Sequence, residues 1–201
     1  MLTHKVKEAY HASFPYVFWD GFFTELELST MLLYFDSLPR QAGLVGEQHE
    51  NKLGRVDLET RKSDICFADF DSQNEWIFYR LFALADMINN HFFNYDLIGF
   101  DHLQYTVYDT EGSHYAYHMD LQENKDGTSV PRKLSFSVIL SDRDEFEGGE
   151  LEFLDGSTAT QAEQKKGRVI AFPSYILHRV TPITKGIRKS LVFWVCGPKF
   201  R

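Results

Sequence analysis

The stretch His114-Tyr-Ala-Tyr-His118-Met-Asp120 decides how this chain is read. Taken as a β-strand, its residues i and i+2 face the same side. His118 and Asp120 then project together, an imidazole beside a carboxylate at a spacing that suits two ligands of one metal. A long polar segment, Gln122–Arg132, follows directly and marks a strand end. Far downstream, His178 closes the apolar run Val169-Ile-Ala-Phe-Pro-Ser-Tyr-Ile-Leu177. Ten residues later Arg188 opens another, Ser190-Leu-Val-Phe-Trp-Val-Cys196. Taken singly, each has a plain structural explanation: a satisfied strand histidine, a cap, a solvated strand charge. Their coincidence in one chain points to a site.

Working outward, the 201 residues suit a single domain, since β-sandwiches and barrels often reach this length as one unit. Aromatics make up 15% of the chain, with 18 Phe and 10 Tyr, ample for a packed core. The net charge of −8 argues against broad electrostatic binding to nucleic acid, and none is expected as a partner. Two distant cysteines, Cys66 and Cys196, are too few for a disulfide framework or a thiolate cluster. No apolar run has the length of a membrane span, and the N-terminus lacks a signal-peptide pattern. A cytoplasmic protein without membrane attachment is the expectation.

Residues 14–23 read as a short strand and turn. Thr24 and Glu27 form a capping box for a helix carrying Leu26, Leu28, Met31, Leu32 and Phe35, which Pro39 stops. Gln41–Ser63 is polar and irregular, the kind of segment that serves as a lid or binding loop. Ser72-Gln-Asn-Glu75 reads as a second capping box, opening a helix with Trp76, Phe78, Leu81, Leu84, Ala85 and Ile88 on its apolar stripe. After Asn94 the period changes to two. Strands are expected at about 100–108, 115–121, 134–140, 150–154, 158–163, 168–172, 178–181 and 187–195, with glycine turns between them. The fold class is therefore mainly β with supporting helices (α+β), a sandwich or barrel buttressed by its N-terminal helices. Residues 1–98 form the helical support and lid, residues 99–201 the catalytic core, within a single domain.

Two histidines and one carboxylate with open coordination positions make the facial triad of non-haem Fe(II) oxygenases. An arginine behind the metal is a natural fork for a dicarboxylate. The chain resembles the Fe(II)/2-oxoglutarate dioxygenases of the prolyl-4-hydroxylase-like branch, and the PKHD-type hydroxylases within it. The resemblance is carried by Tyr105-Thr-Val-Tyr108, His118-Met-Asp120, Lys133–Ser141, Gly148-Gly-Glu-Leu151, Phe172-Pro173, Leu177–Ile183, Gly186-Ile-Arg188 and Phe193-Trp194.

That resemblance implies a double-stranded β-helix (jelly-roll) core. It implies His118, Asp120 and His178 as iron ligands and Arg188 as partner of the distal carboxylate of 2-oxoglutarate. Tyr108, Leu151, Val180 and Trp194 fall at positions that line the cosubstrate. Many relatives carry a Thr or Tyr hydroxyl on the strand that here reads Ser135–Leu140; Ser137 is a weaker substitute. Ser190, two residues from Arg188 on one strand face, is the other candidate. Fe(II), 2-oxoglutarate and O2 are the implied cofactor and cosubstrates, with ascorbate as a reductant. Phe136, Val138, Phe172 and Trp194 are expected as apolar walls, and His114 as a residue that either faces substrate or is a solvated strand-end histidine. Tyr115 and Tyr117 are expected on one strand face.

The expected reaction is hydroxylation of a C–H bond with release of succinate and CO2. A peptidyl-prolyl substrate is the first choice, and a free amino acid or other small molecule the alternative. Two further alternatives are a cupin-like zinc hydrolase, in which Arg188 has no evident role, and a non-catalytic β-sandwich binding module. Oligomeric state is left open.

Overall fold

In the computed structural model, which describes residues 10–13, 15–46, 54–121 and 130–199, the first capping box forms as the sequence predicts. Thr24 Oγ1 accepts from Glu27 N, and the Glu27 carboxylate accepts from Thr24 N at 2.8 Å. Strands β1 (Tyr10–Ser13) and β2 (Tyr16–Trp19) precede this helix, α1 (Glu25–Asp36). Then come β3 (Gln41–Ala42), β4 (Arg61–Lys62), β5 (Asp64–Ala68) and helix α2 (Glu75–Ile88), which runs into a π turn at Asn89–Phe93. The second half continues as β6 (Gly99–Tyr108), β7 (His114–His118), β8 (Arg132–Ile139), β9 (Phe146–Gly148), β10 (Leu151–Asp155) and β11 (Thr158–Ala162). It ends with β12 (Val169–Pro173), β13 (His178–Val180), β14 (Ile183–Gly186) and β15 (Arg188–Cys196).

An eight-stranded sheet runs β1-β2-β12-β8-β15-β6-β5-β3, and a five-stranded sheet runs β11-β10-β13-β7-β4. Strands β9 and β14 pair separately. Every pairing is antiparallel, which gives the jelly-roll core. Alternation divides the large sheet cleanly. Leu103, Tyr105 and Val107 of β6, Phe136 and Val138 of β8, and Leu191 and Phe193 of β15 face the helices. There they pack on Leu28, Met31 and Phe35 of α1 and on Ile77, Leu81 and Leu84 of α2. The other face meets the small sheet through Ile139, Ile170, Phe172, Leu151, Phe153 and Val180.

Several expectations need correction. Helix α2 starts at Glu75, not at a box on Ser72, and Asn74 caps it without a side-chain cap bond. The Asp71 carboxylate takes the N–H groups of Gln73 and Asn74, so the turn is built one residue earlier. The Asn74 amide instead ties Tyr34 Oη at 2.7 Å and the Asp69 carbonyl at 2.8 Å. Ile77, fully buried, takes the stripe position assigned to Trp76. Leu26 is 76% exposed, because the buried face of α1 centres on Leu28, Met31 and Phe35. The N-terminal third is also more than helical support: β1, β2, β3 and β5 extend both ends of the large sheet. The expected lid Gln41–Ser63 contains β3 and β4, while its residues 47–53 lie outside the described residues. So do residues 122–129 of the expected loop Gln122–Arg132.

Candidate metal centre and dicarboxylate pocket

Strand β7 ends at His118, and Asp120 lies two residues past it. The turn is pinned from the other side: the backbone N–H groups of Asp120 and Leu121 both donate to the Ser174 carbonyl at 2.9 Å. Ser174 itself is fully buried and hydrogen-bonded to Ser135 on β8. His178 pairs directly with His118 across β13 and β7. One local device thus delivers all three side chains to the same point. His118 Nε2 lies 3.6 Å from Asp120 Oδ1, and His178 Nε2 lies 3.5 Å from Asp120 Oδ2. All three donor atoms fall within 4.8 Å of one another.

Both imidazoles are oriented from behind. His118 Nδ1 sits 2.8 Å from the Ala116 carbonyl and His178 Nδ1 2.9 Å from the Ile176 carbonyl. A carbonyl only accepts, so each Nδ1 carries a proton, and each ring in its neutral form turns a bare Nε2 lone pair inward. Burial, reinforced by the neighbouring His118, pushes the His178 pKa down to about 4, which keeps the ring neutral near pH 7. For Asp120 burial favours the protonated form, and positive charge at His178 and His118 would outweigh it and hold the carboxyl well below the usual range, so the carboxylate is placed to answer a cation at this point. Three lone-pair donors aimed at one another in a buried place repel unless a cation lies between them. The donor set therefore fits a divalent metal, and two imidazoles with one carboxylate suit Fe(II).

The donors open into a cavity of about 810 Å³ between the sheets. Every site residue expected from the sequence lines it: Tyr108, Ser137, Leu151, Val180, Arg188, Ser190 and Trp194, with the three donors. Arg188 is 1% exposed. Among the described residues no carboxylate lies within 4.0 Å of its guanidinium. It donates, among the described residues, only to neutral oxygens, from Nη1 to Ser190 Oγ at 3.1 Å and from Nε to Gln164 Oε1 at 3.0 Å. The Tyr108 ring lies 5.4 Å from the guanidinium carbon. Trp194 Nε1–H is buried near Asp120 but outside hydrogen-bond geometry, among the described residues. Ser190 therefore meets the arginine directly, while Ser137 lines the wall. Of the expected apolar walls, Phe136, Phe172 and Trp194 line the cavity, Phe136 from the core where it stacks on Phe193, whereas Val138 packs toward the helices.

Strand β7 departs from simple alternation. His178 pairs with His118 and Val180 with Tyr115, so three steps on β7 meet two on β13. This bulge turns Tyr115 to the cavity side, stacked on the His118 ring at 3.6 Å. Tyr117 stays on the outer face beneath Arg179, so the two tyrosines do not share a face. His114 is occupied by the Gly112 and Glu59 carbonyls and does not face the cavity. Sequence reasoning missed Arg61, which is 6% exposed, lies over the Tyr115 ring at 4.5 Å and has no described carboxylate within 4.0 Å. It also missed Gln164.

Residues 103–196 match the family model of the 2OG-Fe(II) oxygenase superfamily. That match spans just under half of the chain and makes it similar to the superfamily over its second half. The chain is similar to a PKHD-type hydroxylase of Idiomarina loihiensis, 38% identical over 85 residues. The match covers 42% of this chain and 38% of the relative, so it spans about two fifths of that relative's length. Its fold is similar to a Pseudomonas putida prolyl-4-hydroxylase, with TM-score 0.64 at 19% identity over 92% of this chain and 94% of that one. It is also similar to a Trichoplax adhaerens prolyl hydroxylase solved with a hypoxia inducible factor peptide fragment. There the TM-score is 0.72 at 17% identity, covering 91% of this chain and 84% of that one. Among the described residues, no helix is long and apolar enough to cross a membrane.

Proposed function

We propose that this chain is an Fe(II)- and 2-oxoglutarate-dependent hydroxylase acting on a prolyl residue of a peptide or protein. One observation carries the reaction class. A buried guanidinium without a described carboxylate partner shares a cavity with three converging metal donors. Burying a charge is costly unless a partner compensates it, so the cavity is built for an anion. A dicarboxylic 2-oxo acid satisfies both ends, its distal carboxylate on Arg188 and its oxo acid toward the metal donors.

His118, Asp120 and His178 hold the metal in this proposal, with Ala116 and Ile176 fixing the two rings. Bound Fe(II) supplies O2 activation coupled to decarboxylation of 2-oxoglutarate to succinate and CO2. Arg188 and Ser190 bind the distal carboxylate, and Leu151, Val180 and Phe172 keep water from the chain of the cosubstrate. Arg61, at the far side of Tyr115, offers a cation to a carbonyl or carboxylate of the substrate. Residues 99–201 form the catalytic core of one domain.

The peptide substrate is supported by the similarity to prolyl hydroxylases, one of which was solved with a peptide. A free amino acid is the second choice, favoured by a cavity volume of about 810 Å³ that lies in the range of small-molecule sites. Incubating the Fe(II)-loaded chain with 2-oxoglutarate, ascorbate and either a proline-containing peptide library or free amino acids tests both. Gain of one oxygen on peptides with matching succinate supports the first choice. Gain on amino acids alone supports the second, and succinate without gain on either overturns both.

A further inference from the structure

Gln164 is 5% exposed and lies between β11 and β12, where no motif marks it. Its Oε1 accepts from Arg188 Nε at 3.0 Å and its Nε2 donates to the Gly149 carbonyl at 2.7 Å. The partners fix the amide's orientation, because a carbonyl only accepts and a guanidinium only donates. Gly149 in turn presses on the arginine stem: a Cβ there would meet Ile183 and sit 2.9 Å from Arg188 Cδ. With Ser190 on Nη1, the guanidinium is held on two edges by neutral oxygens, and no other described acceptor bonds it.

The neutrality matters. A carboxylate in place of the Gln164 amide would meet the same N–H and cancel the charge inside the protein. Glu150, whose field reaches Arg188, is held by Arg143 instead at 2.6 Å. We propose that Gln164 is a positioning residue: it fixes Arg188 in the cavity while leaving its positive charge uncompensated, and thereby sets affinity for the distal carboxylate of the cosubstrate. This rests on the assignment of that carboxylate to Arg188 made above.

The test is calorimetric titration of the full chain loaded with Mn(II), which binds without turnover. Two ligands are compared: 2-oxoglutarate and 2-oxovalerate, which keeps the oxo acid but lacks the distal carboxylate. Wild type prefers 2-oxoglutarate. Gln164→Met, which keeps length and loses both polar ends, raises the Kd for 2-oxoglutarate about tenfold. Gln164→Glu raises it further by supplying an internal carboxylate, and because it retains the shape and the acceptor it reports even where the Met variant is unstable. Both leave 2-oxovalerate within about twofold. Three results would overturn the proposal. Unchanged 2-oxoglutarate affinity in both variants, with the wild-type preference intact, removes Gln164 alone. Parallel weakening of both ligands means general disruption. Absence of any wild-type preference removes the Arg188 assignment, and this inference with it.

Discussion

Nε2 of His178 lies 3.5 Å from Oδ2 of Asp120, and the proton that would bridge them is on the opposite ring nitrogen, held by the Ile176 carbonyl. The pair is thus arranged for a cation and not for each other. His118→Ala removes one of three donors but leaves the strand pairing of β7 with β13 intact. Divalent-metal affinity and 2-oxoglutarate turnover are expected to fall by more than about 100-fold, beyond what loss of an outer hydrogen-bond partner causes. The metal-free thermal midpoint shifts by no more than a few degrees. Metal titration with parallel thermal denaturation checks this; wild-type metal affinity in the variant would remove His118 from the ligand set.

Arg188→Lys keeps the charge and loses the fork that reaches both Gln164 and Ser190. The KM for 2-oxoglutarate is expected to rise about 10- to 100-fold, roughly 1.4–3 kcal/mol, with a smaller fall in kcat. Steady-state succinate release measures both. An unchanged KM would place the anchor elsewhere.

Gly149→Ala tests the same arginine from its stem. Gly149 has φ +64°, and an added Cβ has Ile183 and Arg188 in its way. Backbone strain and overpacking each cost about 1–3 kcal/mol, so the thermal midpoint drops by several degrees and 2-oxoglutarate affinity falls with it. A variant with wild-type stability and binding would contradict the close packing around Arg188.

Far from the cavity, Asp20 accepts from Arg168 Nε and Nη2, both at 2.8 Å, and joins the end of β2 to the start of β12. The Arg168 hydrogen bonds outweigh burial and hold the Asp20 carboxyl below its ordinary value. A depressed carboxylate contributes stability above its unfolded pKa, and that contribution is lost as pH falls through the folded value. Asp20→Asn should therefore cost about 1–2 kcal/mol at pH 7, the lower part of the charged-bond range because Asp20 is partly exposed. The gap to wild type holds down to about pH 5 and narrows only below about pH 4. Urea unfolding at pH 7, 5 and 3 checks it; a gap that widens with acid would contradict the sign.

Local pattern revealed most strands of the second half, because their alternation is set by a sheet with one face on the helices and one on the cavity; it missed the short pair β9 and β14. His118-x-Asp120, His178 and Arg188 were legible for the same reason, each sitting at a strand end or start. The bulge that turns Tyr115 inward was not legible, since it depends on the register of β7 against β13, some 60 residues away. Gln164 was hidden because its partners, Gly149 and Arg188, are 15 and 24 residues off and no periodicity links them. Arg61 lay in a segment too polar to read as strand. The Ser72 box gave way to an N-cap at Asn74. Asp71 takes the Gln73 and Asn74 N–H groups, and the Asn74 amide is tied to Tyr34 and the Asp69 carbonyl, contacts that local sequence does not show.

Anaerobic titration of the metal-free chain with Fe(II) and then 2-oxoglutarate addresses the central claim, that a metal centre and a dicarboxylate anchor share one cavity. The expected result is a weak visible absorption band of a ferrous 2-oxo acid chelate, saturating at one equivalent and absent from His118→Ala. Folded wild-type protein that develops no such band at any 2-oxoglutarate concentration would contradict it.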